Sequence, residues 1–191
     1  MEAKISSLKK NQVKKIFSRF FEINPSPKGE LNYTNNFTLL VAVVLSAQAT
    51  DKSVNEATKD LFKIVNNPQD ILKIGELRLR NYIKRIGLYK TKAKNIIKLS
   101  DDIIKKYKSK VPDSREELLT LAGVGRKTAN VVLNIAFHKP TMAVDTHVFR
   151  VSNRTGIALG KSVLEVEKNL VENIPKKYMV KAHHWLILHG R

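Results

Sequence analysis

A short glycine-rich segment beside a lysine, at residues 123–127, is the part of the sequence best suited to chemistry. Gly123 and Gly125 flank Val124, and glycine permits a tight turn because it adopts positive φ and lets another backbone approach closely. A predicted helix begins near Arg126, so its first amide groups and the positive end of its dipole would favour an anion such as phosphate. The simpler alternative, that the glycines only end one helix and allow a turn, stays open at this point.

The order of residues in this segment excludes two other phosphate-binding motifs. A Walker loop has glycine directly before its Lys-Thr pair, but here Arg126 precedes Lys127 and Thr128. A dinucleotide-binding fingerprint needs a third glycine where Thr128 stands, and it follows a strand, whereas the pattern before Gly123 is helical. The segment therefore predicts a helical hairpin rather than a nucleotide-binding loop.

Lys127 has two interpretations on its residue type and position. The amine of a lysine can attack a carbonyl carbon and form a Schiff base, which makes Lys127 a candidate nucleophile. A lysine in the first turn of a helix opposes the helix dipole, but a charge that extends into solvent is disfavoured only slightly. Lys127 is thus also consistent with an ordinary surface side chain, and the residues alone leave both interpretations open.

A single carboxylate, Asp145, follows the apolar residues Ala143 and Val144 and precedes a predicted helix at about 145–154. Aspartate is a favoured N-cap at such a position. A capping carboxylate is held rigidly and can also face a cleft, so the capping and catalytic roles are compatible. The histidines lack a metal-binding spacing such as His-Glu-x-x-His, and we therefore expect no metal site.

The composition indicates a folded protein with a polyanionic partner. The chain has 191 residues, 35 Lys plus Arg against 17 Asp plus Glu, a net charge of +18 and no cysteine. This charge favours nucleic acid, although codon usage or a ribosomal or histone-like protein would produce the same excess. The lack of cysteine excludes disulfides, a thiolate nucleophile and cysteine-bound zinc. No secretory signal is visible, nor an apolar run of the roughly 18 residues that span a bilayer, so we expect a cytoplasmic protein.

The elements that position these residues are predicted to be helices, which makes the chain all-α. Apolar residues recur at intervals of three and four, and no alternating strand pattern is visible. Residues 37–47 are apolar nearly all round, and their length favours a buried helix over a buried strand. Ser114 and Glu117 form a predicted capping box for a helix that runs to Gly123. We expect the other helices at about 13–21, 52–65, 76–86, 91–107, 126–138, 145–154, 163–173 and 176–189, with a turn at 69–74.

Five segments of the sequence carry a resemblance to a known family. They are LSAQATD at 45–51, IGLY at 86–89, GVGRKTA at 123–129, VDTH at 144–147 and HHWLILHGR at 183–191. In this order, and over nearly the whole chain, they resemble endonuclease III, a family of bifunctional DNA glycosylase/AP lyases in the helix-hairpin-helix superfamily. One position departs from the family pattern, because Ala122 stands where proline usually precedes Gly-Val-Gly.

The resemblance implies two helical domains with a cleft between them. The first would be a six-helix barrel domain at 29–139, with the helix-hairpin-helix at about 114–137. The second would combine 1–28 with 140–191. Breaks read from the residues fall at the same joins, because prolines and a glycine interrupt residues 24–29 and Pro140 ends the helix after the hairpin.

The resemblance also implies an activity and roles for named residues. Such enzymes remove oxidised pyrimidines from duplex DNA, extruding the base into a pocket, and then cut the strand 3′ to the abasic site by β-elimination. Lys127 matches the nucleophile that forms the Schiff base, and Asp145 matches the essential carboxylate. Gln48 and Leu88 match residues that fill the gap left by the flipped nucleotide. The phosphate-binding positions of the hairpin would be Gly123, Val124, Gly125, Arg126 and Thr128.

The family carries a [4Fe-4S] cluster on four cysteines that follow the segment ending at Arg191. Since this chain contains no cysteine, we expect it to bind no such cofactor, whether by truncation or by natural loss. The expected partner is double-stranded DNA with damaged pyrimidines or abasic sites, bound by a monomer associated with a bacterial nucleoid. The alternative function is a non-catalytic helix-hairpin-helix module that binds DNA without lesion preference or strand scission.

Overall fold

The computed structural model describes residues 6–190, which form helices and turns without a strand. The prediction of an all-α chain is thus confirmed for this part of the sequence. It contains a short 3-10 helix at Leu61–Lys63 and ten α-helices: α1 Lys10–Ile23, α2 Asn36–Leu45, α3 Asp51–Thr58, α4 Pro68–Ile83, α5 Tyr89–Tyr107, α6 Arg115–Leu119, α7 Arg126–Phe137, α8 Thr146–Thr155, α9 Val163–Asn173 and α10 Lys176–Gly190. No helix among the described residues is both long and apolar enough to cross a bilayer.

The chain divides into two compact units. The central unit consists of Glu30–Phe137 and contains α2 to α7. The terminal unit combines Met1–Gly29 with His138–Arg191 and contains α1, α8, α9 and α10.

Helix α2 forms the core of the central unit. Every residue of α2 except Asn36 is buried, which explains why the sequence is apolar on all sides of this helix. Asn35 begins the helix by accepting hydrogen bonds from the amides of Phe37 and Thr38, both at 3.0 Å. The preference for a helix over a strand at 37–47 is confirmed, but α2 ends at Leu45 and the residues after it form a loop.

Several predicted helix boundaries in the central unit are wrong. The helix expected at 52–65 ends at Thr58 and is followed by the 3-10 helix Leu61–Lys63, and Leu61 and Val65 are fully buried without a continuous helix. The turn expected at 69–74 belongs to α4, which kinks at Gly75 (φ 72°, ψ 165°) and stops at Ile83. Helical periodicity therefore located the apolar residues correctly but not the interruptions between them.

Aromatic contacts hold the terminal unit together. Phe17 of α1 is fully buried, and its ring centroid lies 6.2 Å from that of Trp185 in α10. The indole Nε1 of Trp185 donates a hydrogen bond to the carbonyl of Asn24 at 2.8 Å, and Lys181 Nζ donates to the carbonyl of Pro25 at 2.6 Å. The proline-containing segment after α1 is thus fastened to α10 by side chains that lie 156 residues or more further along the chain.

Candidate functional site

The glycine-rich segment is the turn of a helical hairpin formed by α6 and α7. Ser114 Oγ accepts a hydrogen bond from the amide of Glu117 at 3.2 Å and donates one to the Glu117 carboxylate at 2.7 Å. The predicted capping box is therefore only partly correct, because the carboxylate binds the hydroxyl and not the backbone amide of Ser114. Arg115 Nε donates to Asn130 Oδ1 at 2.9 Å, which ties the two helices of the hairpin together.

Helix α6 is shorter than predicted, because the turn begins well before the first glycine. The amide of Leu121 donates to the carbonyl of Leu118 and the amide of Val124 donates to the carbonyl of Leu121, both at 3.1 Å. Val124 is buried, whereas Gly123 and Gly125 on either side of it are exposed. The turn is thus anchored by the buried side chains of Leu121 and Val124, and its glycines face solvent.

The two glycines of the turn differ in backbone conformation and in the space around them. Gly123 has φ +79°, and a Cβ there would lie 3.0 Å from Asn95 Nδ2, so both the backbone and the space favour glycine. Gly125 has no positive φ, and no heavy atom lies within 4 Å of the position of its Cβ. Gly123 is therefore explained by folding, whereas Gly125 leaves open space at the start of α7.

The start of α7 combines helix geometry with positive charge. Its first backbone hydrogen bond runs from the amide of Ala129 to the carbonyl of Gly125 at 2.9 Å, so the amides before Ala129 point out of the helix end. Arg126 and Lys127 are exposed there, Thr128 is half-buried, and the first turn of α7 contains no acidic residue. Such a helix end suits an anion, and the Lys127 amine is accessible to it.

Asp145 lies in the terminal unit, at the start of α8, and its predicted capping role is confirmed. Its Oδ1 accepts a hydrogen bond from the amide of Val148 at 2.8 Å. The three residues before it are buried, and His183 Nδ1 lies 2.8 Å from the carbonyl oxygen of Ala143, so the approach to Asp145 is fixed by packing. Capping uses one carboxylate oxygen, and the half-buried side chain does not need the other for this purpose.

Gln48 and Leu88 lie in the central unit and share an unusual backbone conformation. Gln48 follows α2 with φ +54°, and Leu88 precedes α5 with φ +60°. Positive φ is disfavoured for residues other than glycine. Leu88 is also exposed over 63% of its surface. Strained backbone together with an exposed leucine is typical of a contact surface rather than of a folding requirement.

Lys92 was not singled out by sequence reasoning, and the structure buries it in the first turn of α5, against the end of α2. Its amine donates a hydrogen bond at 2.9 Å to the carbonyl of Leu45, the last residue of α2. Lys92 lies one turn before Ile96, on the apolar stripe of α5. A lysine within such a stripe is expected to be buried, so this spacing could have identified Lys92 from the sequence.

No metal or cluster site is evident in the described residues. In residues 6–190 there is no group of three or more His, Asp or Glu side chains that could hold a metal ion. The residues present also do not fit an iron–sulfur cluster, because the sequence supplies no thiolate ligand.

Comparisons with known proteins identify the family of this chain. Residues 41–176 match the model of the HhH-GPD superfamily base excision DNA repair proteins. Endonuclease III of Haemophilus influenzae is 58% identical over 176 residues, which cover 92% of this chain and 83% of that protein. Endonuclease III of Rickettsia felis is 60% identical over 179 residues, covering 94% and 84% respectively.

A solved structure matches over a similar length. It is a trapped covalent intermediate between endonuclease III and DNA, and it aligns with a TM-score of 0.88 at 47% identity over 95% of this chain and 85% of that one. In all three comparisons the aligned region covers well over two thirds of this chain and of the other protein. The chain therefore belongs to the HhH-GPD superfamily of base excision DNA repair proteins and, within it, to the endonuclease III family of DNA glycosylases and AP lyases.

Proposed function

We propose that this protein binds duplex DNA, removes oxidised pyrimidines and cuts the strand 3′ to the resulting abasic site. The observation that carries the proposal is the exposed Lys127 amine in the first turn of α7, directly after the open turn at Gly125. A related structure of endonuclease III is a covalent intermediate with DNA, which supports a nucleophilic mechanism in this family. If the start of α7 binds a phosphate of the damaged strand, the Lys127 amine beside it lies near the sugars of that strand.

The proposed reaction begins at the sugar of the damaged nucleotide. The lone pair of Lys127 Nζ forms a bond to C1′ while the bond from C1′ to the base breaks, and the base leaves with that electron pair. Opening of the sugar ring gives a Schiff base between Nζ and C1′. Loss of a proton from C2′ then expels the 3′ phosphate by β-elimination, and water releases the sugar fragment from the lysine.

Asp145 is proposed to assist this reaction as a carboxylate. The N-cap bond to Val148 fixes its orientation, and an oriented negative charge stabilises the positive charge that develops on the sugar. Gln48 and Leu88 are proposed to occupy the gap left by the extruded nucleotide. Exposure and strained backbone support this role, because core packing does not explain an exposed side chain on a residue with positive φ.

The hairpin residues are proposed to bind phosphate. The exposed backbone at Gly123 and Gly125, the amides around Val124 and Thr128, and the Arg126 side chain all lie at the start of α7. Contacts of this kind position the strand without reading its sequence. The proposed partner is therefore double-stranded DNA recognised through its backbone and its lesion, and the central unit is proposed as the barrel domain that carries the hairpin.

The nucleophile is tested by borohydride reduction of the protein in the presence of duplex DNA with an abasic site. We expect a covalent protein–DNA adduct with the wild-type protein and with Lys98→Ala, which removes another exposed lysine of the central unit. We expect no adduct with Lys127→Ala. An adduct at full yield with Lys127→Ala would overturn the assignment of the nucleophile.

The same assay separates the enzyme from a non-catalytic module. Folded wild-type protein that binds duplex DNA but forms no adduct and leaves an abasic site uncut would support the non-catalytic alternative. Incision of the abasic strand that Lys127→Ala abolishes would exclude it. Lys127→Ala is expected to keep its affinity for DNA, because the phosphate contacts come from many other cations.

A further inference from the structure

Lys92 is a buried cation in a chain whose other lysines mostly lie at the surface. Only 6% of its surface is exposed. It lies in the first turn of α5 on the same face as Ile96 and Leu99, which are fully buried. Burial lowers the pKa of the Lys92 amine, because desolvation disfavours its charged form.

The partner of this amine explains why it is there. Lys92 Nζ donates to the carbonyl of Leu45 at 2.9 Å, across 47 residues of sequence. A cation opposes the dipole at the start of its own helix, α5, but it complements the negative end of α2. Lys92 therefore acts less as part of α5 than as a cap for the last turn of α2.

This contact joins two segments that contain strained residues. Gln48 lies three residues after Leu45, in a loop closed by a hydrogen bond from the amide of Ala49 to the carbonyl of Ser46 at 3.1 Å. Leu88 lies four residues before Lys92, and its carbonyl accepts the Lys92 amide at 3.0 Å. The bond to Leu88 is a backbone bond of the helix that any residue at this position makes, whereas the side chain of Lys92 links the first turn of α5, directly after Leu88, to the end of α2.

The next turn of α5 supports the hairpin in a similar way. Asn95 contacts Gly123, where a Cβ would lie 3.0 Å from its Nδ2. Residues 92 and 95 are three apart and therefore lie on one face of α5. One helix face accordingly supports both the loop of Gln48 and the turn of the phosphate-binding hairpin.

We propose that Lys92 is a positioning residue that holds Gln48 and Leu88 in register, so that both side chains enter the DNA duplex together. Lys92 itself does not contact DNA and acts only through the loops that contain Gln48 and Leu88. The role in DNA entry rests on the proposed function of Gln48 and Leu88. The ordering of the loops does not rest on it and can be measured in the free protein.

The first experiment measures amide hydrogen exchange in the DNA-free protein. Lys92→Met keeps an unbranched side chain, one atom shorter than that of lysine, and removes the hydrogen-bond donor. We expect exchange at the amides of Ser46 and Ala49 to accelerate by about tenfold or more, because the loop loses its anchor. The amide of Ala129 in the hairpin should keep its rate. Unchanged exchange at Ser46 and Ala49 would overturn the proposal.

A matched control distinguishes the loss of this contact from general destabilisation. Ser100→Ala removes another buried bond to a backbone carbonyl in α5, since Ser100 Oγ donates to the carbonyl of Ile96 at 2.7 Å. We expect Ser100→Ala to leave exchange at Ser46 and Ala49 unchanged. Lys92→Gln, which keeps a polar end without the charge, provides a second variant should Lys92→Met fail to fold.

The second experiment measures incision of abasic-site duplex as a double-mutant cycle. Lys92→Met should lower kcat/KM by about 10- to 100-fold, as misplacement of positioning groups does. Gln48→Ala should then cause a smaller loss in the Lys92→Met background than in the wild type, because the two act as one unit. Additive losses would overturn the proposal.

These outcomes remain distinguishable from failure of the proposed function. Borohydride trapping at saturating DNA should still give an adduct with Lys92→Met, because Lys127 is intact. If the wild-type protein itself forms no adduct, the proposed function fails. The exchange experiment then still supports or overturns the loop-ordering role of Lys92.

Discussion

Asp145 illustrates how one side chain can hold a structure and remain available for chemistry. Its Oδ1 caps α8 through the amide of Val148, and the buried residues before it limit its motion. An N-cap is satisfied by asparagine as well as by aspartate, whereas stabilisation of a developing positive charge requires the carboxylate. Stability and activity can therefore be separated at this one position.

Asp145→Asn should retain the stability of the wild-type protein and lose most of its incision activity. Asp145→Ala should lose the activity and also about 1 kcal/mol of unfolding free energy, since the cap is removed as well. Urea denaturation and abasic-site incision measure the two effects. Full activity of Asp145→Asn would contradict the proposed role of the carboxylate.

At the level of elements, the turn between α6 and α7 needs glycine for folding at one of its two glycine positions and not at the other. Gly123 combines a positive φ with a close contact to Asn95, whereas Gly125 has neither constraint. The helix expected to reach Gly123 ends at Leu119, because the chain needs six residues to reverse into α7. Spacing in the sequence located both glycines but did not distinguish their roles.

Gly123→Ala is expected to destabilise the protein by about 1–3 kcal/mol, the range for a residue forced into the left-handed region. Gly125→Ala should change unfolding free energy little and should weaken binding to duplex DNA, because a methyl group would occupy the open space before α7. Thermal unfolding and a DNA titration of both variants test this. Equal destabilisation by the two substitutions would contradict the distinction.

Across the whole molecule, basic residues are in excess and can attract a negatively charged partner. The 35 Lys and Arg outnumber the 17 Asp and Glu, which leaves a net charge of +18. The five ion pairs identified among residues 6–190 join residues three or four apart in sequence, and such local pairs contribute little to stability. The positive charge is therefore better explained by attraction of a polyanion than by maintenance of the fold.

Affinity for undamaged duplex DNA should fall by about a thousandfold or more between roughly 50 mM and 200 mM salt if six or more phosphates are contacted. Lys127→Ala should reduce the slope of log K against log salt by no more than about one, the contribution of a single phosphate contact. Fluorescence anisotropy over a salt series measures both slopes. An affinity independent of salt would exclude binding through the phosphate backbone.

Local rules acting along the chain determined much of this protein. Apolar periodicity predicted most helices, and the residue types at Ser114 and Asp145 predicted their N-caps, because each depends on neighbours within one turn of helix. Order and identity of the motifs also indicated the family. Only the tertiary structure revealed the left-handed backbone of Gln48 and Leu88 and the burial of Lys92 against Leu45. These features arise from packing between segments far apart in sequence, where burial and partner are decided by the fold and not by the residues on either side.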